Sequence, residues 1–334
     1  MSSSLVYLSE ERVRQLLNWD STFDAIERAM MRVSERRAVQ NPRTFTMIPH
    51  SGNLLLTMPG YLDDSKYGSL GCKLVTAFPD NVDKEAPLPS IVANIMLLDE
   101  NSGQLKAVVA GTEVTKWRTA AASAVATKYI LKNDVVGKDQ ILAIIGAGEQ
   151  GKIHAIAFQY FFGFKEVRVW NRTIERANQL KSDLEQTEGF KGRITVHENV
   201  ESCVKDADVI VTATFSDCPL VKYEWLKEGV HINAVGAGQK HHSELEESIY
   251  LNADVFVDYL AGAKKELSGL ERISVKFKGE VGDIITGMLK YTEPKKITIF
   301  QSLGMAVEDT AMARLLYDLH MKEIEEADNQ KDKK

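Results

Sequence analysis

The sequence predicts an α/β protein with two domains: an α+β domain first, then a doubly wound parallel sheet of Rossmann type. Three observations predict this fold class. Short strand-like runs separated by Gly, Pro, Asn or Asp fill much of the first third of the chain. Beyond about residue 120, apolar runs alternate with helical patterns, as they do in βαβ units. One of these runs, at residues 140–148, leads directly into a glycine-rich turn.

Composition limits the class of protein. The chain has 334 residues, of which 44% are hydrophobic and 26% charged, and this suits about two soluble domains. The net charge is −6 and no basic stripe is present, so neither nucleic acid nor a membrane surface is a predicted partner. Three widely separated cysteines argue against a disulfide framework or a metal site. With no signal-like or membrane-length apolar run, we expect a cytoplasmic protein without a bound metal.

The first domain begins with helices and continues with strands. Helical spacing marks SEERVRQLLN and STFDAIERAMMRVSERRA, and Ser21 with Asp24 resembles a capping box. The strand-like runs that follow are RTFTMIPH, GNLLLTMPGYL, SLGCKLVTAF, SIVANIMLLDE and QLKAVVAG. The run NSG at 101–103 is typical of a hairpin turn, so consecutive strands are predicted to pair antiparallel.

The second domain opens with a helix rich in small residues, TEVTKWRTAAASAVATKYIL. Six predicted strands then alternate with helices: QILAIIGAG, EVRVWNRT, RITVHE, DVIVTATF, VHINAVGAG and DVFVDYL. Several are almost wholly apolar, as strands covered on both faces are. An irregular stretch, one more strand and a long closing helix complete the chain, and the domain boundary is placed near residue 120.

A glycine-rich turn follows the first strand of the second domain. Gly146, Gly148 and Gly151 stand in G-x-G-x-x-G register between an apolar strand and a helix. Glycines there allow a tight turn and close approach of a pyrophosphate, while the helix N-terminus offers unpaired N–H groups. The context predicts dinucleotide binding. An ordinary glycine-rich turn and a methyltransferase-type fold are the alternatives.

The end of the next strand lacks an expected acid. NAD-selective sites carry Asp or Glu there to bind the ribose hydroxyls, whereas this chain has Asn171, Arg172 and Thr173. An arginine forms charge-assisted bonds with a 2′-phosphate, each of about 1.5–3 kcal/mol. The site is therefore predicted to prefer NADPH, with NADH as an alternative. Arg176 is a second phosphate candidate, and the competing interpretation makes Arg172 a solvated turn residue.

Two further loops follow the fourth and fifth strands, at carboxyl ends where open α/β sheets bind ligands. The predicted cofactor contacts in these loops are Thr214, Phe215, Val235 and Gly236.

Several blocks together resemble the ornithine cyclodeaminase/mu-crystallin family, most strongly its ketimine reductases. They are CKLVTAF, KWRTAAASAVATKYIL, IIGAGEQG, VRVWNRT, ADVIVTAT, HINAVGAG and QSLGMAVEDTAMARLLYD, and the likeness runs from about residue 5 to residue 318. The resemblance implies a substrate-binding and dimerisation domain at 1–120, joined by the C-terminal helix at 303–330, and an NADP-binding domain at 121–302. It implies a homodimer, and it adds to the cofactor-binding residues Ser90, Gln150, Ser302, Leu303 and Gly304.

The resemblance also supplies candidate substrate residues. Family members bind the substrate carboxylate with a Lys in K-L-V-T and an Arg in K-x-R-T-A-A, which are Lys73 and Arg118 here. Arg43 matches another arginine of the site, and Glu266 matches an acidic position. The resemblance makes Lys73, Arg118 and Glu266 the expected catalytic set. From sequence alone these charges would be expected on the surface, and only the motif match singles out Lys73 and Arg118.

Three observations concern the remaining polar candidates. His241 and His242 are adjacent, and we interpret both as exposed loop histidines in preference to catalytic or metal-binding groups. Gly238 replaces the Asp that cyclodeaminases use, so ornithine deamination is disfavoured. Ser90 is followed by Ile91 where many family members carry His.

The resemblance implies reduction of cyclic ketimines, of the 1-piperideine-2-carboxylate and 1-pyrroline-2-carboxylate type, to imino acids such as pipecolate or proline. An amino-acid dehydrogenase or ornithine cyclodeaminase is one alternative. A protein that binds thyroid hormone or another small molecule is the other.

Overall fold

A computed structural model describes residues 5–84, 86, 88–132, 139–236, 242–293 and 295–331. The chain divides into two compact units. The first comprises Met1–Arg118 and Met305–Lys334, and the second comprises Thr119–Gly304. The roles predicted for the two domains, substrate binding with dimerisation and cofactor binding, stay predictions.

The first unit contains a mixed sheet. Its strands are β1 (Val6–Leu8), β2 (Ala38–Gln40), β3 (Thr44–Met47), β4 (Leu54–Leu62), β5 (Ser69–Ala77), β6 (Ile91–Leu98) and β7 (Leu105–Ala110). Along the sheet the order is β1-β7-β6-β5-β4-β2, and β3 also pairs with β4. All pairs are antiparallel except β1 with β7. The predicted turn at 101–103 is confirmed, since it joins β6 to β7 with Gly103 at φ 71°.

Helices cover one face of this sheet. They are α1 (Glu10–Leu16), α2 (Trp19–Ser34) and α11 (Ala306–Lys331), while α3 (Thr112–Leu131) begins in this unit. The glycines of β4 and β5 allow α11 to approach closely. A Cβ on Gly60 would lie 3.1 Å from Ala306 Cβ, and one on Gly71 would lie 3.0 Å from Thr310 Cγ2.

Two local features of the first unit differ from the sequence predictions. The predicted capping box of Ser21 and Asp24 is wrong, because α2 begins earlier, with Asn18 as its N-cap. The Asn18 side chain accepts a bond from the Ser21 N–H at 2.9 Å. Asp24 instead accepts bonds from Lys66 and Tyr67, each at 2.7 Å. Strands β1 and β2 were also missed, since three residues give too little alternation to recognise, and the predicted helix at 21–38 included the first residue of β2 although α2 ends at Ser34.

The second unit contains a parallel sheet of eight strands in the described part of the chain. They are β8 (Ile141–Ile145), β9 (Glu166–Trp170), β10 (Arg193–Val196), β11 (Val209–Thr212), β12 (His231–Ala234), β13 (Asp254–Val257), β14 (Phe277–Glu280) and β15 (Thr298–Gln301). Their order is β10-β9-β8-β11-β12-β15-β13-β14, so the direction of winding reverses between β8 and β11. A doubly wound sheet binds ligands at this switch point. The Rossmann-type fold class is thus confirmed.

Helices connect the strands of the second unit. They are α4 (Glu149–Phe162), α5 (Ile174–Glu185), α6 (Val200–Val204), α7 (Glu247–Asn252), α8 (Leu260–Glu266), α9 (Ser268–Arg272) and α10 (Val281–Ile285). The six predicted strands and the additional one at 298–301 are present. Strand β14 was missed because its sequence, FKGE, lacks an apolar pattern. No helix in the described residues is both long enough and apolar enough to span a membrane.

Candidate active site

The predicted cofactor residues of the second unit follow five strands that are neighbours in the sheet. The strands are β9, β8, β11, β12 and β15, in that spatial order. Because the sheet is parallel, their carboxyl ends lie along one edge. The fold therefore brings together segments that are separated by more than a hundred residues in sequence.

The glycine turn after β8 is tightly packed. The Gly146 N–H donates to Trp170 O at 2.8 Å, and its φ of 113° suits only glycine. A Cβ at Gly146 would lie 2.6 Å from Ala213 O, and one at Gly151 would collide with Gly146 O. Both glycines are thus needed for helix α4 to pack against the sheet.

The N-terminus of α4 suits an anionic ligand. Gly148 is the exposed N-cap residue, and no side chain caps the helix there. The positive end of the helix dipole thus faces outward at an N-cap that carries no side chain, which favours a negative charge there. Gln150, in the same turn, has a buried Oε1 atom without a hydrogen-bond partner in the described structure. These observations fit the pyrophosphate of a dinucleotide, which Gly148 and the first turn would hold.

The end of β9 lies beside this turn. Asn171 Oδ1 accepts a bond from the Ala147 N–H at 3.1 Å, and its Nδ2 donates to Thr173 O at 2.9 Å. Asn171 therefore fixes the glycine turn, and both polar atoms of its amide already have hydrogen-bond partners. Arg172, Thr173 and Arg176 are exposed. These three side chains can reach a ligand phosphate more readily than Asn171 can.

The loops after β11, β12 and β15 complete this edge. Phe215 is 76% exposed, which is unusual for a phenylalanine and leaves a flat apolar surface beside Thr214. The Leu303 and Gly304 N–H groups donate to the buried carboxylate of Asp258 at 2.9 and 2.7 Å. The Ser302 N–H donates to Ala234 O at 3.0 Å. The segment after β15 is therefore held in a fixed position.

The first unit contains a cluster of buried charges. Lys73 on β5 and Arg118 on α3 are only 3% and 7% exposed. Lys73 Nζ lies 2.6 Å from Asp309 Oδ2, and Arg118 Nε lies 3.3 Å from Asp309 Oδ1. Arg118 Nη1 donates to Glu308 Oε2 at 3.2 Å. Two predicted substrate residues are thus in one cluster with two carboxylates of α11.

The charge on Lys73 is set by competing effects. Burial lowers its pKa from 10.5 to about 8, while the nearby Asp309 carboxylate raises the pKa and Arg118 lowers it. Arg43, half-buried between β2 and β3, also lowers it. Lys73 therefore remains mostly protonated at neutral pH and can attract an anion.

Glu308 and Asp309 were not singled out in the sequence. The only available signal was two acids in the first turn of a long helix, a position that usually reflects the helix dipole. The Glu308 side chain does stabilise the N-terminal end of α11, because its Oε2 accepts a bond from the Met305 N–H at 3.1 Å. Its bond to Arg118 depends on tertiary structure.

The remaining candidates lie elsewhere. Ser90 directly precedes β6, and its carbonyl accepts a bond from the Phe78 N–H at 2.7 Å. Glu266 is half-buried at the end of α8. His242 is also half-buried, with its ring against Gly269 and edge-on to Tyr250, so the prediction of an exposed histidine is wrong there. Gly238 and His241 lie outside the described residues.

The doubly wound sheet, with a glycine turn leading into α4 at its carboxyl edge, is the architecture of a dinucleotide-binding α/β protein. The chain belongs to the ornithine cyclodeaminase/mu-crystallin family, whose model matches residues 4–323.

Relatives of known activity resemble the whole chain. The ketimine reductase mu-crystallin of Mus musculus is 36% identical over 322 residues, covering 95% of this chain and 98% of the relative. The Δ1-pyrroline-2-carboxylate reductase of Thermococcus litoralis, solved with NADH and L-proline, superposes with a TM-score of 0.85 at 28% identity, covering 96% and 98% of the two chains. An archaeal alanine dehydrogenase, a dimer with bound NAD, also gives 0.85 at 29% identity, covering 96% and 97%.

The buried cluster predicts the effect of Asp309→Asn. This change leaves Lys73 and Arg118 short of a buried counter-charge, so the free energy of unfolding should fall by about 3 kcal/mol. Asp318→Asn, on the same helix, is the matched control. It breaks a half-exposed pair with Arg314 at 2.7 Å and should cost less than about 1 kcal/mol. Urea unfolding of both variants measures the difference, and equal losses would contradict the role assigned to the cluster.

Proposed function

We propose that this protein is an NAD(P)H-dependent reductase of cyclic ketimines, of the 1-piperideine-2-carboxylate and 1-pyrroline-2-carboxylate type. The products are cyclic imino acids such as pipecolate or proline. The observation that carries the proposal is the buried pair of cations, Lys73 and Arg118, at the family's substrate positions. The activities of the mouse and Thermococcus relatives support it.

The chemistry requires a positioned substrate. A cyclic ketimine of this type carries a carboxylate on the carbon of its C=N bond. Two cations that bind this carboxylate fix the carbon in place, with Arg43 as a third candidate, and such positioning contributes several kcal/mol to catalysis. A bound reduced nicotinamide supplies the hydride for that carbon.

Asp309 and Glu308 contribute by holding the two cations. Long, flexible Lys and Arg side chains lose much rotamer freedom when they bind a ligand. The carboxylates fix both side chains in advance, so substrate binding costs less entropy. Glu266 remains the candidate for the titratable group that accompanies hydride transfer, on the strength of the family match alone.

Arg118→Ala tests the substrate role. We expect kcat/KM for 1-piperideine-2-carboxylate to fall about 100-fold, because a charge-assisted contact to the carboxylate is lost and the reacting carbon is misplaced. The dissociation constant for NADPH should change less than about twofold, since the glycine turn is untouched. Initial rates of NADPH oxidation and direct cofactor titration measure the two quantities.

Three results would count against this assignment. Full turnover by Arg118→Ala would remove Arg118 from the site. Absence of ketimine turnover by the wild-type protein with either NADPH or NADH would remove the reductase function. Ammonia release from ornithine would favour a cyclodeaminase instead.

We further propose that NADPH is the preferred hydride donor. The support is the exposed Arg172 at the end of β9, with Thr173 and Arg176 nearby and no acid among residues 171–173. The Thermococcus and archaeal relatives were solved with NADH and NAD, so support for this proposal comes from this chain's own residues and not from those relatives.

Arg172→Ala should raise the KM for NADPH about tenfold and leave the KM for NADH within about twofold, because only NADPH carries the 2′-phosphate. Arg193→Ala is the control, since Arg193 is a surface arginine on β10 that pairs with Glu166. Parallel initial-rate assays with both cofactors measure the preference. An equal effect of Arg172→Ala on both KM values would contradict it.

The sheet of the first unit supports a homodimer. Along β5 and β6, buried residues that include Gly71, Lys73 and Ile95 alternate with half-exposed ones that include Leu74 and Met96. The half-exposed apolar residues share the face opposite α11, because neighbouring side chains in a strand point to opposite sides. An apolar sheet face of this kind is typical of a subunit interface. We propose that two copies associate through it.

Leu74→Lys places a charge in this face and should convert a dimer to a monomer. Sedimentation equilibrium at micromolar concentration measures the mass. Leu251→Lys, on the exposed α7 of the second unit, is the control and should leave the mass unchanged. A monomeric wild-type protein would contradict the proposal.

Two alternative functions and the expected location each have a direct test. Oxidation of L-alanine with NAD in the same assay would favour an amino-acid dehydrogenase, as the archaeal relative suggests. Thyroid-hormone binding follows from the family resemblance, and competition of an iodothyronine with the ketimine would test it. A cytoplasmic location follows from the composition, and cell fractionation would test that.

A further inference from the structure

The carboxylate of Glu244 lies buried beneath two of the candidate cofactor loops. The residue is 3% exposed, and sequence reasoning did not identify it. Its Oε1 accepts bonds from the N–H and the hydroxyl of Thr214, at 2.7 and 2.6 Å. Its Oε2 accepts bonds from the Thr212 hydroxyl at 2.8 Å and the Gly236 N–H at 3.0 Å. One carboxylate thus joins the carboxyl ends of β11 and β12.

The fit around this carboxylate is close. A Cβ on Gly236 would collide with the Glu244 carboxylate, so glycine is required where the backbone meets it. The backbone of Glu244 is itself fixed, because its carbonyl accepts bonds from Leu220 N and Val221 N at 2.7 and 3.2 Å. Neither loop can therefore shift far without breaking bonds to a buried charge.

Burying the carboxylate that connects these two loops costs desolvation free energy. Burial raises the pKa of Glu244, while the bonds from Thr214, Thr212 and Gly236 lower it. A neutral or apolar contact would connect the same strands at a smaller desolvation cost. The four donors directed at one side chain therefore suggest that the loop positions themselves matter.

We propose that Glu244 is a positioning residue that holds the Thr214 and Gly236 loops in the arrangement that binds the nicotinamide half of the cofactor. The inference rests on the proposed function, which places the cofactor along this edge. Glu244 acts through Thr214 and Gly236 and makes no contact with the cofactor itself.

Replacement by glutamine tests the carboxylate specifically. The amide NH2 of Glu244→Gln must face either the Thr214 N–H or the Gly236 N–H, and neither backbone donor can turn to accept a bond. One buried N–H then loses its acceptor whichever way the amide is oriented. The shape of the side chain is otherwise preserved.

The experiment compares two nucleotides on the purified full-length protein. NADPH binding is followed by fluorescence titration, and 2′,5′-ADP, which lacks the nicotinamide half, is followed by calorimetry. In Glu244→Gln the dissociation constant for NADPH should rise about tenfold, and that for 2′,5′-ADP should stay within about twofold. Glu246→Gln, two residues along the chain from Glu244, should leave both values unchanged. The bonds from Tyr223 N and the Ser248 hydroxyl both reach Glu246 Oε2, which the amide oxygen of glutamine can replace.

A second variant provides an independent test if Glu244→Gln folds poorly. Thr212 is fully buried in β11 and its hydroxyl donates to Glu244, so Thr212→Val removes one of the four bonds to the carboxylate without changing Thr214 or Gly236. This change should raise the dissociation constant for NADPH about threefold without altering that for 2′,5′-ADP.

Each remaining outcome has a distinct meaning. NADPH binding within twofold of wild type in both variants would overturn the positioning role. Equal weakening of NADPH and 2′,5′-ADP would overturn it as well, in favour of a general structural role. Wild-type protein that binds neither nucleotide would instead overturn the proposed function.

Discussion

The first unit depends on the pairing of charges in its interior. Lys73, Arg118, Glu308 and Asp309 come from β5, α3 and α11, which are far apart in sequence. Removing any such charge from water costs several kcal/mol, and only close pairing recovers that cost. The helix α11 must therefore lie where its first turn meets both cations. The glycines of β4 and β5 make this approach sterically feasible.

In the second unit, the polar groups that need partners are backbone N–H groups of the loops. Loops at the carboxyl edge of a parallel sheet leave N–H groups that no strand can satisfy. Asn171 and Asp258 accept some of these bonds, for the glycine turn and for the segment after β15. Each side chain reaches a loop that follows a different strand. Polar side chains thus fix the edge of the sheet at which the N-terminus of α4 can meet an anionic ligand.

The sequence revealed those features that depend on local pattern. The apolar strands, the turn at Gly103 and the turn at Gly146 could all be recognised because spacing and glycine report backbone conformation directly. The short strands β1, β2 and β14 were missed, because three or four residues carry too little alternation of apolar and polar side chains. Glu244 and Asp309 could not be identified, because their partners are distant in sequence and an acid in a helix or loop is ordinarily solvated. Lys73 and Arg118 were recognisable only through the family motif.

The discontinuity of the first unit has a consequence for biosynthesis. Residues 305–334 complete a unit that begins at residue 1, whereas the second unit is continuous. During translation the inner unit is therefore finished first, which reverses the usual N-terminal-first order of domain folding. Until α11 leaves the ribosome, Lys73 and Arg118 lack their carboxylates, and β4, β5 and β6 lack the helix that packs against them. The nascent chain thus passes through an interval in which apolar surface and two cations of the first unit are exposed, and that interval ends when α11 is synthesised.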